Sequence, residues 1–178
     1  SNVDQILVVL ATQPAFSPDL LGRAVVAAET NQIGLHILLN KCDLKDNLEH
    51  ARKIIAPYAR MGYPVTEVSA KFDEASIKAL RPAICGKVSV FVGQSGMGKS
   101  TMINALLPHE AVRTQEVSPV LDSGKHTTTA AHLYHLDDKS ILIDSPGLQE
   151  FGLHHLGAGP ASENLVAVVH PKTEQIEH

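Results

Sequence analysis

Residues 93–101, GQSGMGKST, place glycines, a lysine and hydroxyl side chains at a spacing that suits phosphate binding. The glycines would let the backbone fold closely, so that consecutive N–H groups point at one phosphate group. Lys99 would bridge the β- and γ-phosphates and take part in catalysis, and the Ser100 hydroxyl would ligate Mg²⁺. We predict that the other phosphate contacts come from the rest of this loop: Ser95, Gly96, Met97, Gly98 and Thr101.

The stretch NKCD, residues 40–43, carries side chains that suit recognition of a guanine base. The Asp43 carboxylate can accept from both the N1–H and the 2-amino group of guanine, whereas adenine presents no such pair of donors. Lys41 can lay its aliphatic stem along the purine, and Asn40 can connect this loop to the phosphate loop. The alternative interpretation is a polar strand end that leads into a helix.

A second polar stretch, SAK at residues 69–71, also follows an apolar run. Ala70 could donate its backbone N–H to the guanine O6, with Ser69 and Lys71 on either side of it. The tripeptide is a weak indication by itself and gains weight from its order relative to the other stretches.

The stretch IDSPG, residues 143–147, suits a metal and the terminal phosphate. Asp144 follows an apolar run and could hold a Mg²⁺-bound water, while the Gly147 N–H could reach the γ-phosphate. An ordinary turn containing proline and glycine is the alternative.

A long segment with little periodicity separates Leu107 from Ala130 and contains the sequence GKHTTT. Loops of this length inside a compact domain are usually functional or disordered. We predict that Thr128 supplies a catalytic hydroxyl that joins Mg²⁺ in the triphosphate state, and Thr127 and Thr129 remain open as alternatives. The predicted metal ligands are therefore three oxygen-bearing side chains: Ser100, Thr128 and Asp144.

The stretch IDSPG does not identify the residue that orients the attacking water. Ras-like enzymes carry glutamine directly after the glycine that contacts the γ-phosphate, here Gly147, but Leu148 occupies that position and Gln149 stands one place later. We predict that His126, in the threonine-rich segment, positions the water. A solvent-exposed loop histidine is the alternative interpretation.

These stretches require a sheet that brings them to one edge. Short apolar runs alternate with helix-like segments, which is typical of an α/β fold with a mostly parallel sheet covered on both faces. About six strands are predicted, at residues 5–11, 33–39, 64–70, 87–93, 130–136 and 140–145. The last two should form a hairpin through residues 137–139.

Three helices are predicted between the strands. Ser17 suits an N-cap with Pro18 at the first helical position, and this helix should end near Thr30. Asp46 and Glu49 have the spacing of a capping box for a helix that ends near residue 62. The third helix follows the phosphate loop at residues 101–107.

The composition fits one soluble domain. The chain has 178 residues, of which 44% are hydrophobic and 19% charged, and its net charge of −4 argues against a broad basic face for nucleic acid. Cys42 and Cys85 are too few for a disulfide framework, and no apolar run is long enough to span a bilayer. We expect a cytoplasmic protein without membrane association.

These stretches, in this order, resemble the circularly permuted GTPases of the small ribosomal subunit biogenesis type, RsgA, also called YjeQ. The resemblance covers residues 1–156, from NVDQILVVLA through NKCDL, VSA, GQSGMGKST and GKHTTT to DSPGLQEFGLHHL. In ordinary GTPases the phosphate loop precedes the guanine-binding stretch, whereas here it follows. Such a sheet can be cut and rejoined because the nucleotide contacts depend on which strands are neighbours, not on chain order.

The resemblance implies a Ras-like sheet in which the strand at 5–11 neighbours the strand that enters the phosphate loop. It also implies binding of GTP and GDP with Mg²⁺, slow hydrolysis stimulated by the small ribosomal subunit, and a role in late maturation of that subunit. Contacts to the subunit and its rRNA would come mainly from domains that this sequence lacks.

The resemblance divides the chain into a GTPase domain at residues 1–156 and a tail at residues 157–178. Members of the family usually carry an N-terminal oligonucleotide-binding barrel and a C-terminal zinc-binding domain, and this sequence shows neither. We therefore expect an isolated, monomeric GTPase domain with no zinc in this chain.

Two other functions remain open from the sequence. A P-loop enzyme that uses ATP would leave Asp43 without a role. An assembly module that binds GTP with negligible hydrolysis would be consistent with Leu148 in the glutamine position.

Overall fold

A computed structural model describes residues 3–94, 96–108, 116–120 and 129–144, in which strands and helices alternate along the chain. The strands are β1 (Gln5–Ala11), β2 (Gly34–Asn40), β3 (Val65–Glu67), β4 (Val88–Val92), β5 (Glu116–Val120), β6 (Thr129–His135) and β7 (Ile141–Asp144). The helices are α1 (Pro18–Asn31), α2 (Leu48–Arg60), α3 (Glu74–Ile84) and α4 (Lys99–Leu106). Within these described ranges no helix is both long and apolar enough to cross a bilayer.

The strands form one sheet in the order β3-β2-β1-β4-β7-β6-β5. Four neighbouring pairs, from β3 to β7, are parallel, and β6 pairs antiparallel with both β7 and β5. The predicted fold class is confirmed, as are the hairpin of β6 with β7 and the contact between β1 and β4. The sheet thus joins a strand from the start of the chain to the strand that enters the phosphate loop.

Strand β5 was not predicted, because it lies in the segment expected to lack regular structure. Its Pro119 pairs with Ala130, and proline weakens the sequence pattern of a strand because it cannot donate to the ladder. Proline is accepted at this position because β5 is the last strand in the sheet order. The described part of the sheet therefore has seven strands where about six were expected.

Strands β1 and β2 form the centre of the core. Every residue of β1 is buried, and in β2 only the first residue, Gly34, is exposed. Near-continuous apolar runs are expected for parallel strands that are covered on both faces. Helix α1 packs Leu20, Leu21 and Ala24 into this core. Burial of one leucine side chain stabilises the folded state by about 1.5–3 kcal/mol, so strands buried along their whole length are firmly held. The loops that follow these strands therefore begin at fixed positions.

The helix starts agree only in part with the prediction. Pro18 begins α1 as expected, but the Ser17 side chain makes no capping hydrogen bond. The capping box predicted at residues 46 and 49 is wrong, because Asn47 is the N-cap of α2. Glu49 then lies at the second helical position and pairs with Arg52 instead, at 2.5 Å.

Helix α3 was also not predicted. Asp73 caps its N-terminus by accepting from the Ser76 backbone N–H at 3.3 Å, and Ile77, Leu80 and Ile84 bury one face. Proline at position 82, inside the helix, weakens the helical pattern in the sequence. This helix matters for the site because its first turn supports one of the loops described below.

Candidate functional site

Within the described ranges, the predicted binding stretches follow strand ends at one edge of the sheet. In an open α/β sheet, ligands bind outside the carboxyl ends of the parallel strands, where the connecting loops converge. The stretch NKCD begins at the end of β2, SAK follows β3, the phosphate loop follows β4, and Asp144 ends β7. Neighbouring strands therefore place residues from both halves of the chain beside each other.

The phosphate loop adopts a backbone that requires glycine at two positions. Gly96 and Gly98 have φ values of +84° and +83°, in the left-handed region that favours glycine. A Cβ atom at position 98 would also collide with the Asn40 amide nitrogen. Helix α4 begins directly afterwards, so its free N–H groups and positive dipole end face this loop. The arrangement is suited to an anion.

Lys99 and Asp144 form a buried pair beside this loop. The lysine Nζ lies 2.6 Å from the aspartate Oδ1, and the two side chains are 5% and 13% exposed. These two atoms nevertheless have no partner with the geometry of a hydrogen bond in the described residues, so the contact is an ion pair only. Buried charges of this kind need further ligands. A phosphate oxygen would satisfy the ammonium, and Mg²⁺ or its water would satisfy the carboxylate.

Asn40 connects three parts of the site. This side chain is 3% exposed, donates from Nδ2 to the Met97 carbonyl at 3.0 Å, and accepts at Oδ1 from the Ala70 N–H at 3.0 Å. The structure thus brings the NKCD stretch, the SAK stretch and the phosphate loop together. Since the Ala70 N–H already donates to Asn40, a guanine O6 would have to share or replace that hydrogen bond.

Lys41 lies across the phosphate loop. Its ammonium donates to the Gly96 carbonyl at 2.6 Å and to the Gln13 carbonyl at 2.9 Å. The Thr12 hydroxyl donates to the Lys41 carbonyl at 2.8 Å. The backbone of Lys41 has a φ of +60°. With both ends held in this way, the aliphatic stem of Lys41 is fixed beside Gly98.

The Asp43 carboxylate is oriented by Ser69, whose hydroxyl donates to its Oδ1 at 2.7 Å. Ser69 is itself held by α3, because its backbone N–H donates to the Ser76 hydroxyl at 3.1 Å. The first turn of α3 thereby supports the predicted base-binding loop. The remaining lone pairs of the Asp43 carboxylate stay available for two N–H donors.

A cavity of about 250 Å³ opens where these loops meet. All six predicted base-binding residues line it, together with two apolar residues that were not predicted. The lining is Asn40, Lys41, Asp43, Leu44, Ser69, Ala70, Lys71, Phe72, Gly98 and Thr101. Ser100 lies in the first turn of α4 with an exposed side chain. Gly98 and Thr101, which line the cavity, flank Lys99 of the Lys99–Asp144 pair along the chain.

Several predicted site residues lie outside the described ranges: Ser95, His126, Thr128 and Gly147. Their roles stay predictions.

Cys42, inside the NKCD stretch, is a protonated thiol at neutral pH. Burial raises its pKa, with a smaller contribution from Glu67, and the thiol donates to the Leu39 carbonyl at 3.2 Å. Since redox and metal chemistry require the thiolate, the raised pKa makes the Cys42 thiol less reactive in both.

Sequence reasoning missed several contacts that hold the site. Thr12 and Gln13 directly follow β1, so their position at a strand end could have identified them. Gln94 accepts from the Ser17 N–H at 3.2 Å, which ties the phosphate loop to the start of α1. That contact and the role of Ser76 depend on the packing of distant segments and have no local sequence pattern.

Comparison with known proteins agrees with this geometry. A family model described as RsgA GTPase matches residues 1–154. The chain belongs to the RsgA GTPase family. The resemblance inferred from the motifs is thereby confirmed.

Curated relatives in the RsgA family support the assignment. The protein of Paraburkholderia phytofirmans named small ribosomal subunit biogenesis GTPase RsgA is 54% identical over 165 residues, which are 89% of this chain and 52% of that protein. The protein of the same name from Ralstonia pickettii is 51% identical over 164 residues, with the same two coverages. The chain spans about half the length of the curated relatives it matches.

Two solved structures resemble the sheet described above. YjeQ from Thermotoga maritima matches with a TM-score of 0.62 and 31% identity, over 80% of this chain and 47% of that chain. YloQ, described as a circularly permuted GTPase, matches with a TM-score of 0.57 and 31% identity, over 82% of this chain and 45% of that chain. The strand order of this RsgA family member is therefore that of a circularly permuted GTPase.

Proposed function

We propose that this chain binds GTP with Mg²⁺ at the described edge of the sheet and hydrolyses it to GDP and phosphate. The observation that carries the proposal is the position of the buried Asn40 side chain, whose two hydrogen bonds join the base-binding loops to the phosphate loop. Binding residues from the two halves of the chain then act on one nucleotide. Membership of a GTPase family supports the same reaction.

The proposed roles follow from the chemistry of each group. Asp43 accepts from the guanine N1–H and 2-amino group, and Lys41 packs its stem against the purine. Lys99, which pairs with Asp144 here, would contact the β- and γ-phosphates, and the Asp144 carboxylate would then be available to hold a Mg²⁺-bound water. Ser100, in the first turn of α4, would ligate the metal. Backbone N–H groups of the phosphate loop surround the β-phosphate.

The remaining roles are proposed for residues outside the described ranges. Thr128 would complete the metal ligands in the triphosphate state, and the Gly147 N–H would contact the γ-phosphate. His126 would position the attacking water, because Leu148 has no group that can do so. Hydrolysis by the chain alone is therefore expected to be slow.

We propose that the nucleotide state of this chain acts in late maturation of the small ribosomal subunit. The names of the curated relatives support that setting. Because the chain spans about half of those relatives, we place the contacts to the subunit and its rRNA mainly in the parts of those relatives that the chain does not match. A cytoplasmic monomer suits such a role.

Nucleotide selectivity tests the proposal directly. Calorimetric titration with GDP, GTP and ATP, each with Mg²⁺, should show binding of both guanine nucleotides and none of ATP at the same concentration. Binding of ATP as tight as that of GTP would contradict the proposed role of Asp43 and favour a P-loop enzyme of another kind.

A second candidate function is a nucleotide-gated assembly module with negligible hydrolysis, which Leu148 in the glutamine position favours. Single-turnover release of phosphate, with and without small ribosomal subunits, separates the two. Release stimulated by the subunits and lowered in His126→Ala, with GDP affinity unchanged, supports the GTPase. Release at the uncatalysed rate in both conditions supports the module.

A further inference from the structure

Two exposed apolar side chains border the cavity that we assign to guanine. Phe72 is 70% exposed and Leu44 is 39% exposed, and they are two of the four large apolar residues exposed in the described ranges. The other two, Val26 and Met61, do not line the cavity. Single exposed apolar residues are ordinary, but two on the rim of one cavity indicate a surface that a ligand covers.

The position of Phe72 is fixed by the turn that follows the SAK stretch. Its backbone N–H donates to the Ser69 carbonyl at 3.2 Å, and the next N–H, of Asp73, donates to the same carbonyl at 2.8 Å. The ring therefore extends from an ordered turn between β3 and α3, adjacent to the residues predicted to contact the base. Lys71 places its ammonium 5.3 Å from the centroid of the ring. One face of the ring is thus occupied by a cation, and the other face and the edge remain for a ligand.

The cavity offers a purine two apolar sides. On the phosphate-loop side, the stem of Lys41 is held by hydrogen bonds from its ammonium to Gln13 and Gly96. On the side of α3, Phe72 supplies an aromatic ring. Aromatic rings stack on nucleic acid bases because every base has a π face. Asp43 and Phe72 line the same cavity.

We infer that Phe72 is a further base-contacting residue, whose ring packs on the purine of the bound guanine nucleotide. This inference rests on the proposed function. The ring contacts the base and not the phosphates, so it stabilises GDP and GTP complexes equally. Phe72→Ala should therefore weaken the binding of both nucleotides by the same factor, about tenfold.

The first experiment uses the absence of tryptophan from the chain. Phe72→Trp introduces one tryptophan, whose emission should be quenched when GDP with Mg²⁺ stacks a guanine against it. Met61→Trp is the matched control, because Met61 is 65% exposed at the end of α2 that points away from the cavity edge. Quenching at position 72 with none at position 61 supports the inference. Equal signals at the two positions overturn it.

Calorimetric titration of Phe72→Ala and Phe72→Leu with GDP and with GTP is the second experiment. The expected order of affinity is wild type, then leucine, then alanine, with the same ratio for both nucleotides. Unchanged GDP affinity in Phe72→Ala overturns the inference while the proposed function stands. If the wild-type chain binds no guanine nucleotide, the proposed function fails as well.

A third measurement identifies the competing occupant of this rim. If Phe72→Ala keeps its GDP affinity but loses binding to small ribosomal subunits, the ring serves a macromolecular partner and the inference is wrong. The circular dichroism spectrum and melting temperature of each variant serve as folding controls. Because the Phe72 side chain is mostly exposed, neither should change.

Discussion

Asn40 illustrates how one side chain determines the arrangement of the site. Position 40 requires one buried side chain that donates to the Met97 carbonyl and accepts from the Ala70 N–H. Aspartate would lack the donor, and leucine would lack both. Only an amide of this length fits, which explains why the strand β2 ends in a polar residue after an apolar run.

The first prediction concerns the loss of that amide. Asn40→Ala leaves the buried Met97 carbonyl and the partly buried Ala70 N–H without this partner, so the free energy of unfolding should fall by about 1–3 kcal/mol and GDP affinity should fall with it. Chemical denaturation and titration with GDP measure the two effects. Asn47→Ala is the matched control, since the exposed Asn47 makes no capping hydrogen bond from its side chain. Equal stability of the two variants would contradict the role given to Asn40.

The second prediction concerns the base that the site selects. In Asp43→Asn an amide donates where the carboxylate accepted, so preference should shift from guanine to xanthine, whose C2 carries an acceptor. Ser69 can still donate to the amide oxygen, so the loop should keep its conformation. Competition of bound GDP by xanthosine diphosphate measures the shift, with Asp46→Asn as the control in the same loop. A variant that still prefers GDP would show that Asp43 does not contact the base.

At the scale of elements, the sequence was most informative where burial is most complete. Strands β1 and β2 were predicted to within one residue because both faces of a central parallel strand are covered, which leaves a continuous apolar run. Helix α3 and strand β5 were missed because Pro82 and Pro119 interrupt their patterns, although neighbouring elements hold both in place. Local propensity is a weak guide at such positions, since packing overrides it.

For the site as well, local sequence patterns were informative and contacts between distant segments were not. Motif spacing identified the residues that line the cavity, because a phosphate loop and a guanine-binding stretch carry their chemistry within a few adjacent positions. The supporting contacts were missed because they join segments far apart in sequence, such as Gln94 with Ser17. Phe72 was missed because its sequence position does not show that the exposed ring lies beside a cavity.

The third prediction concerns the pairing of β2 with β3, where the His36 Nε2 and the Thr66 Oγ1 form a hydrogen bond of 2.7 Å. Burial, with a smaller effect of Lys87, lowers the pKa of His36 below its ordinary value of 6.5. The folded chain therefore binds fewer protons than the unfolded chain, so this contribution to stability is complete above pH 6.5. It should be lost as the pH falls from there through the lowered pKa.

Melting temperatures between roughly pH 5 and 8 test this expectation, because only histidine of the ordinary side chains titrates there. His36→Gln keeps a hydrogen-bonding side chain without a titrating ring, so its melting temperature should fall less steeply with acid than that of the wild type. His50→Gln, at an exposed position of α2, is the matched control and should follow the wild type. Parallel curves for all three proteins would mean that His36 does not titrate differently on folding.

At the scale of the whole molecule, the residues proposed for base recognition and those proposed for phosphate binding lie in separate halves of the sequence. Strands β1 to β3 lead to the base-binding loops, and β4 and β7 lead to the phosphate-binding groups. The halves are joined along β1 and β4, whose pairing is extended by Gln5 donating to Ser89 at 2.9 Å and by Val88 donating to Asp4 at 2.8 Å. A ligand that touches both halves should therefore stabilise them as one unit.

Hydrogen exchange with and without GDP tests that unity. If both halves unfold together, a ligand that binds only the folded chain slows exchange of the slowest amides by the same factor everywhere, about a hundredfold at a concentration of 100 times Kd. Amides of β2 and β4 should then gain equal protection, and ATP at the same concentration should give none. Protection confined to β4 would mean that the nucleotide binds through its phosphates alone. Since the strands are neighbours in the sheet but distant in sequence, equal protection is the direct consequence of a site built from both halves.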